Sequence, residues 1–196
     1  MSYGATSFGL RPRQISGAHS PDLQWVDWIL DLMNSYITQE TICFILRPTN
    51  PFRSATSILN ALQCLLDSNC DTLRAVRKVK EHPGKMWVRQ GEHIVPLLPF
   101  SLDGVFWHSN QTSSLFDVYV QTAALEIFYP ATFKRFRSIT GSSITPFFMT
   151  EIESTDINTS SDIQTVRTLL QSSPNLLPKI HGQYSRLCLD KELVIV

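Results

Sequence analysis

The stretch from Ile42 to Val79 leaves this chain few folds to choose from. Ile42–Leu46 is a continuous apolar run, the pattern of a fully buried strand. Ile58, Leu59, Leu62, Leu65 and Leu66 then recur at helical spacing, and Leu73–Val79 returns to a strand pattern. Strand, helix and strand in that order predict a right-handed crossover unit with parallel strands, the building block of an α/β fold. Between the first strand and the helix lies ILRPTNPFRS, Ile45–Ser54. Its two prolines stiffen the turn, Arg47 and Arg53 bracket it, and Thr49 and Asn50 add short polar groups. The loop falls at the carboxyl end of a strand, where open α/β sheets bind ligands, and its guanidinium donors suit a phosphorylated or carboxylated one. The competing reading is an ordinary turn carrying surface arginines.

Upstream, Ser20-Pro21-Asp22 has the form of a helix start, with a capping hydroxyl, a proline in the first turn and an acid near the positive helix end. Val26, Ile29, Leu30 and Met33 extend it to about 15 residues at helical spacing. Beyond Val79 the pattern changes. His82-Pro83-Gly84-Lys85 reads as a turn, Met86–Val88 and Ile94–Leu98 as short strands, Leu102–Ser114 as a loop, and Val118–Val120 and Leu125–Tyr129 as strands. This middle third is an antiparallel excursion from the α/β sheet. Its apolar residues Met86, Trp87, Phe100, Phe106 and Trp107 form either a partner surface or a local satellite core. Thr132–Ile139 reads as a short helix and Ile144–Met149 as a strand. Thr159 and Asp162 form a capping box for a helix continued by Ile163, Val166, Leu169 and Leu170. Leu193–Val196 either pairs as a strand or frays.

With 196 residues the chain can build one good-sized core. Lys and Arg balance Asp and Glu at 17 each, which argues against a nucleic-acid partner, since that needs a basic face. Only 17 % of residues are charged and 43 % are hydrophobic, so much of the surface is expected to be buried in a core or between subunits. Cys43, Cys64, Cys70 and Cys188 show no metal-type spacing, and Cys43 and Cys64 sit in apolar runs as packing residues. No signal-peptide pattern and no membrane-length apolar run is present, which predicts a cytoplasmic protein with no membrane partner.

There is no Gly-rich phosphate loop: Val79 stands where a P-loop ending at Gly84-Lys85 needs its first glycine. Nor do the five histidines form a zinc motif. Asp156 is the best metal candidate, because Mg²⁺ takes one or two carboxylates plus substrate phosphates. The competing role is an aspartate before a helix, stabilising its backbone N–H groups.

Seven segments, in order, resemble the acylneuraminate cytidylyltransferases, the CMP-sialic acid synthetase family: YGATSFGLRP, SPDLQWVDWIL, ILRPTNPFRSATSI, EHPGKMW, WHSNQ, VYVQTAALEI and STDINTSSDI. The resemblance implies a Rossmann-like nucleotide-diphospho-sugar transferase fold (GT-A-like), a mixed sheet with helices on both faces. Residues 1–80 and 123–171 would form the core, 81–122 an antiparallel dimerisation arm and 172–196 a C-terminal tail. The implied reaction transfers CMP from CTP to an acidic nonulosonate sugar and releases pyrophosphate, with Mg²⁺ offsetting phosphate charge. The implied partners are CTP, the acidic sugar and a second copy of the chain.

Carried over position by position, Arg11 faces the cytosine region with Ser20 and Asp22 near it. Arg47, Thr49 and Asn50 line the sugar pocket, with Arg53 closing the same loop. Lys85 and Gln111 belong to the arm that reaches a partner's site; Arg47 and Lys85 are the candidate catalytic cations. Gln121 and Thr122 contact the sugar, and Asp156 and Asn158 lie at the metal. The chain departs from the family's pattern at Arg47, where Gln is common, at Thr122, where Asn is common, and at Asn158, where a second Asp is common. The family also opens with a strand, an Arg/Gly-rich phosphate loop and a helix that have no counterpart here. The expectation is therefore an N-terminally truncated member with an exposed sheet edge, weak for CTP on its own. The alternative is a non-catalytic homologue that acts as a dimerisation partner.

Overall fold

The structure, a computed structural model, describes residues 7–177 and the strand at 193–195. A five-stranded mixed sheet forms its centre, built from β1 (Ile42–Ile45), β2 (Thr72–Lys78), β7 (Tyr119–Phe128), β8 (Ile144–Phe148) and β9 (Leu193–Ile195) in the order β8-β2-β7-β1-β9. Among the described residues, four α-helices accompany it: α1 (Asp22–Leu32), α2 (Ala55–Asp67), α3 (Pro130–Phe136) and α4 (Ser160–Ser172). The chain is thus a mixed α/β protein.

Residues alternate across the strands and feed two cores. Ile42, Phe44, Leu73, Ala75, Leu125 and Ile127 meet Ala61, Leu62 and Leu65 of α2 on one face. Cys43, Ile45 and Phe128 meet Val26 and Leu30 of α1 and Phe133 of α3 on the other. Helices therefore cover both faces. Cys43 is fully buried, and burial pushes its thiol up to about 12, as suits a packing residue.

The strand–helix–strand unit is present, and β1 and β2 run parallel to each other because both pair antiparallel with β7. They are not neighbours, since β7 is inserted between them. The two strands expected at Val118–Val120 and Leu125–Tyr129 are one. It runs through the boundary drawn between arm and core, interrupted by an irregularity that sets Thr122–Leu125 opposite the single residue Ala75. The sheet edge beside β1 is not exposed: β9 pairs along it, with Ile42 opposite Leu193.

Local chemistry corrects one helix start. Ser20 does not cap α1; its Oγ accepts from the N–H of Gly17 at 3.0 Å, and Pro21 precedes the helix. Ser54 caps α2 by accepting from Ser57 N at 3.0 Å. The capping box of α4 forms as expected between Thr159 and Asp162.

The middle third carries two small ribbons, β3 (Trp87–Gln90) with β4 (His93–Pro96) and β5 (Ser101–Leu102) with β6 (Val105–Phe106). The second turns through Asp103 and Gly104, both at positive φ, the Asp-Gly signature of a tight hairpin. The satellite-core reading of the apolar residues here holds for Trp107. Trp107 packs inward against His82, Phe100 and Phe116, while Met86, Trp87, Phe100 and Phe106 remain exposed. Among the described residues no helix is long and apolar enough to cross a membrane.

Candidate functional site

The loop after β1 and the loop between β8 and α4 meet at the same end of the sheet. Two hydrogen bonds stitch them together: the backbone Ile157 N donates to Thr49 O at 3.0 Å, and the side-chain amide Asn50 Nδ2 donates to Thr155 O at 2.7 Å. The irregular part of β7 supplies the third wall. Together they border an open cavity of about 540 Å³ lined by Arg47, Pro48, Thr49, Gln121, Thr122, Ala123, Glu126, Asp156 and Asn158. Its place at the carboxyl ends of β1 and β8 is the usual one for a ligand in an α/β sheet.

Six of the residues singled out from sequence line this cavity: Arg47, Thr49, Gln121, Thr122, Asp156 and Asn158. Asn50 and Arg53 lie behind it, holding the wall. Arg53 donates to the carbonyls of Arg47 and Ala124 rather than pointing at a ligand. Thr122 is buried, and its hydroxyl faces Ala75 O at 3.4 Å. Asp22 reaches the site through Arg47, whereas Arg11 stacks over Trp25. Ser20 is taken up by the Gly17 turn. Lys85 and Gln111 stay in the arm. Lys85 Nζ donates to the carbonyls of His108 and Asn110, and the Gln111 carbonyl accepts from Ser114 Oγ at 2.7 Å.

Glu126 and Arg74 belong to the site's machinery, although neither stood out from sequence. A charged residue inside the apolar run AALEIF was the signal available for Glu126. In the sheet, Arg74 and Glu126 are cross-strand partners on the face shared with α1 and α3, and they form an ion pair. Glu126 Oε1 also accepts from Arg47 Nη2 at 3.3 Å, and Arg47 Nη2 reaches Asp22 Oδ2 at 2.5 Å. Arg74 ends the chain on Thr140 Oγ1 at 2.8 Å. The result is a continuous line, Asp22–Arg47–Glu126–Arg74–Thr140, along the margin of the second core.

The charges respond to this pairing. Partial burial pushes the Asp22 carboxyl up, but hydrogen bonds from Arg47 and Trp25 outweigh it and hold the group below its ordinary range. The same bond from Asp22 raises Arg47 further, so Arg47 stays a cation. Two carboxylates already face it, and no lining residue of the cavity is an unpaired cation.

Asp156 differs from its neighbours. Its Oδ2 accepts from Asn158 Nδ2 at 2.8 Å, while its Oδ1 is buried without a partner. The helix-start role that competed for Asp156 belongs to Asp162, which accepts from the N–H groups of Asn158 at 3.0 Å and Thr159 at 2.7 Å. A carboxylate oxygen held out of water with no donor is a fitting Mg²⁺ ligand. Among the described residues no three His, Cys, Asp or Glu side chains converge on one point, so such an ion would depend on water and phosphate oxygens for the rest of its shell.

Comparison with protein-family models gives no match, and comparison with curated proteins gives none.

Proposed function

We propose that this chain is a cytidylyltransferase on a Rossmann-like, GT-A-like sheet, and that its cavity takes an acidic nonulosonate sugar. The sugar hydroxyl oxygen attacks the α-phosphorus of CTP as its proton passes to water, the bond from that phosphorus to the bridging oxygen breaks, and pyrophosphate leaves. One observation carries the reading. Six residues selected through the resemblance come from segments as far apart as Arg47 and Asn158, yet they line one cavity. In it, Arg47 offers a guanidinium to the sugar carboxylate, and Thr49, Gln121 and Asn158 offer hydrogen bonds to hydroxyls. Asp156 and Asn158 would hold Mg²⁺, which when bound offsets the charge of the phosphates. The chain's share of the chemistry is positioning and electrostatics rather than a covalent step. A nucleoside triphosphate substrate fits a cytoplasmic setting.

The test is direct. Saturation-transfer NMR with N-acetylneuraminate should show sugar contact, and ³¹P NMR with CTP and Mg²⁺ should show a CMP-sugar and pyrophosphate. Absence of sugar contact at millimolar concentration sinks the proposal.

A second reading, a non-catalytic binding partner, draws on a different observation. Arg47 is paired with two carboxylates and Lys85 with arm carbonyls, while Met86, Trp87, Phe100 and Phe106 face outward. Contact with sugar but no product, together with concentration-dependent association in light scattering, would favour it.

A further inference from the structure

The two carboxylates on Arg47 are not equivalent. Glu126 is buried, and both its oxygens are engaged, Oε1 by Arg47 and Oε2 by Arg74. Moving it would strand two guanidinium groups in a half-buried site, so Glu126 is fixed. Asp22 sits at the first position of α1, with its side chain 38 % exposed. It holds Arg47 by a single short bond, Nη2 to Oδ2 at 2.5 Å, since the Nη1–Oδ1 approach is a long 3.5 Å. Its Oδ1 accepts from the indole N–H of Trp25 at 2.9 Å. Arg47 thus has one permanent counter-ion on the sheet and one at the water-facing side, on a separate element.

We infer that Asp22 is a built-in competitor for Arg47, occupying the place of a ligand carboxylate until one displaces it. The inference rests on reading the cavity as an acid-sugar site and adds its selection rule. A carboxylate replaces Asp22 charge for charge, and the released Asp22 returns to water at the cost of one partly exposed ion pair. A neutral ligand of the same shape gains nothing from the exchange and leaves Asp22 in place. The pairing also keeps Arg47 oriented in the empty cavity.

Trp25 reports the exchange, because its indole N–H loses or changes its acceptor when Asp22 moves. The experiment follows that N–H resonance in ¹⁵N-labelled protein, identified with Trp25→Phe, during addition of acetate, methyl acetate, N-acetylneuraminate and its methyl ester. Acetate and the free sugar acid should shift the resonance, and both esters should leave it unmoved. Asp22→Asn should bind the sugar acid about three- to fivefold more tightly, the loss of one exposed competing pair. Arg47→Gln should abolish the acetate shift. The inference is overturned if acetate leaves the wild-type resonance in place, or if Asp22→Asn binds the sugar equally or more weakly. An acetate shift without any sugar binding would instead reject the acid-sugar reading and leave the exchange standing. Should Asp22→Asn fold poorly, the wild-type acetate and ester titrations decide alone.

Discussion

Arg53 donates from Nη1 to the carbonyl oxygen of Ala124 at 2.6 Å, joining the loop after β1 to the irregular segment of β7. Ala124 is fully buried and lies where the ladder with β2 is interrupted. The same nitrogen reaches Arg47 O at 3.2 Å. One half-buried guanidinium therefore satisfies backbone groups on both walls of the cavity. Arg53→Ala leaves the Ala124 carbonyl without a partner and should cost about 2–3 kcal/mol, the penalty for an orphaned buried acceptor plus a lost charge-assisted bond. Urea denaturation should show a lower midpoint with an unchanged slope. A midpoint equal to wild type would show that water replaces Arg53 without loss.

Glu126 should be the most sensitive charged position in the fold. Glu126→Ala strands Arg74, whose side chain is 13 % exposed, and strips Arg47 of its buried counter-ion. Breaking such a pair from one side typically costs about 3–5 kcal/mol, whereas removing both partners costs much less. The double variant Arg74→Met/Glu126→Leu should thus lose less stability than Glu126→Ala alone. A thermodynamic cycle on unfolding free energies measures this, and simple additivity of the single variants would contradict it.

Much of the architecture was legible because it is local. The apolar run at Ile42–Leu46, the helical spacing from Ile58 to Leu66 and the Thr159–Asp162 box each specify an element within a few residues, and each forms, the strand ending at Ile45. The insertion of β7 between β1 and β2 was not legible, because strand order is decided by long-range pairing. Nor was the unity of β7, since Thr122-Ala123-Ala124 carries too little apolar surface to read as strand. At the site, the Arg47 loop and the Asp156 segment were found as sequence motifs. Their mutual contact through Thr49 and Ile157, and the use of Arg47 by Asp22 and Glu126, depend on positions far apart in the chain.

Acid should loosen the turn that leads into β8. The Asp71 carboxylate accepts from Ser142 Oγ at 2.7 Å and from the N–H groups of Ser142 at 2.7 Å and Ser143 at 3.0 Å. Hydrogen bonds from the Ser142 hydroxyl and then from the two N–H groups hold it at about 2, below its ordinary 3.8. The folded-state value is the depressed one. The contribution is therefore fully present above about pH 4 and is lost as pH falls through about 2. Carboxyl-carbon NMR should show Asp71 titrating near 2, and Asp71→Asn should flatten stability across that window. A midpoint at the ordinary value would refute the assignment.

Gly141 makes that turn possible. Its φ is +68°, and a Cβ there would lie 2.5 Å from Asp71 Cβ. Gly141→Ala meets both the left-handed penalty, about 1 kcal/mol, and a clash that only backbone movement relieves. It should destabilise by about 2 kcal/mol or more and move the amide resonances of Ser142 and Ser143. Unchanged resonances would mean that the turn tolerates a side chain.

Asp156 should trade stability for ion binding. Its Oδ1 is buried with no donor, which costs free energy in the unliganded protein. Asp156→Asn removes the charge while keeping the shape, and an amide oxygen is cheaper to desolvate than a carboxylate. The variant should be as stable as wild type or more so, by up to about 1 kcal/mol in denaturant unfolding. It should also lose divalent-ion binding, read from Mn²⁺-induced relaxation of nearby amides such as Thr49 and Asn158. Asp162→Asn gives the contrast. That carboxylate serves Asn158 and Thr159 at the start of α4, so its loss should lower stability and leave Mn²⁺ relaxation in place. Were Asp156→Asn the destabilised variant, Asp156 would be a structural group and the metal assignment would fall.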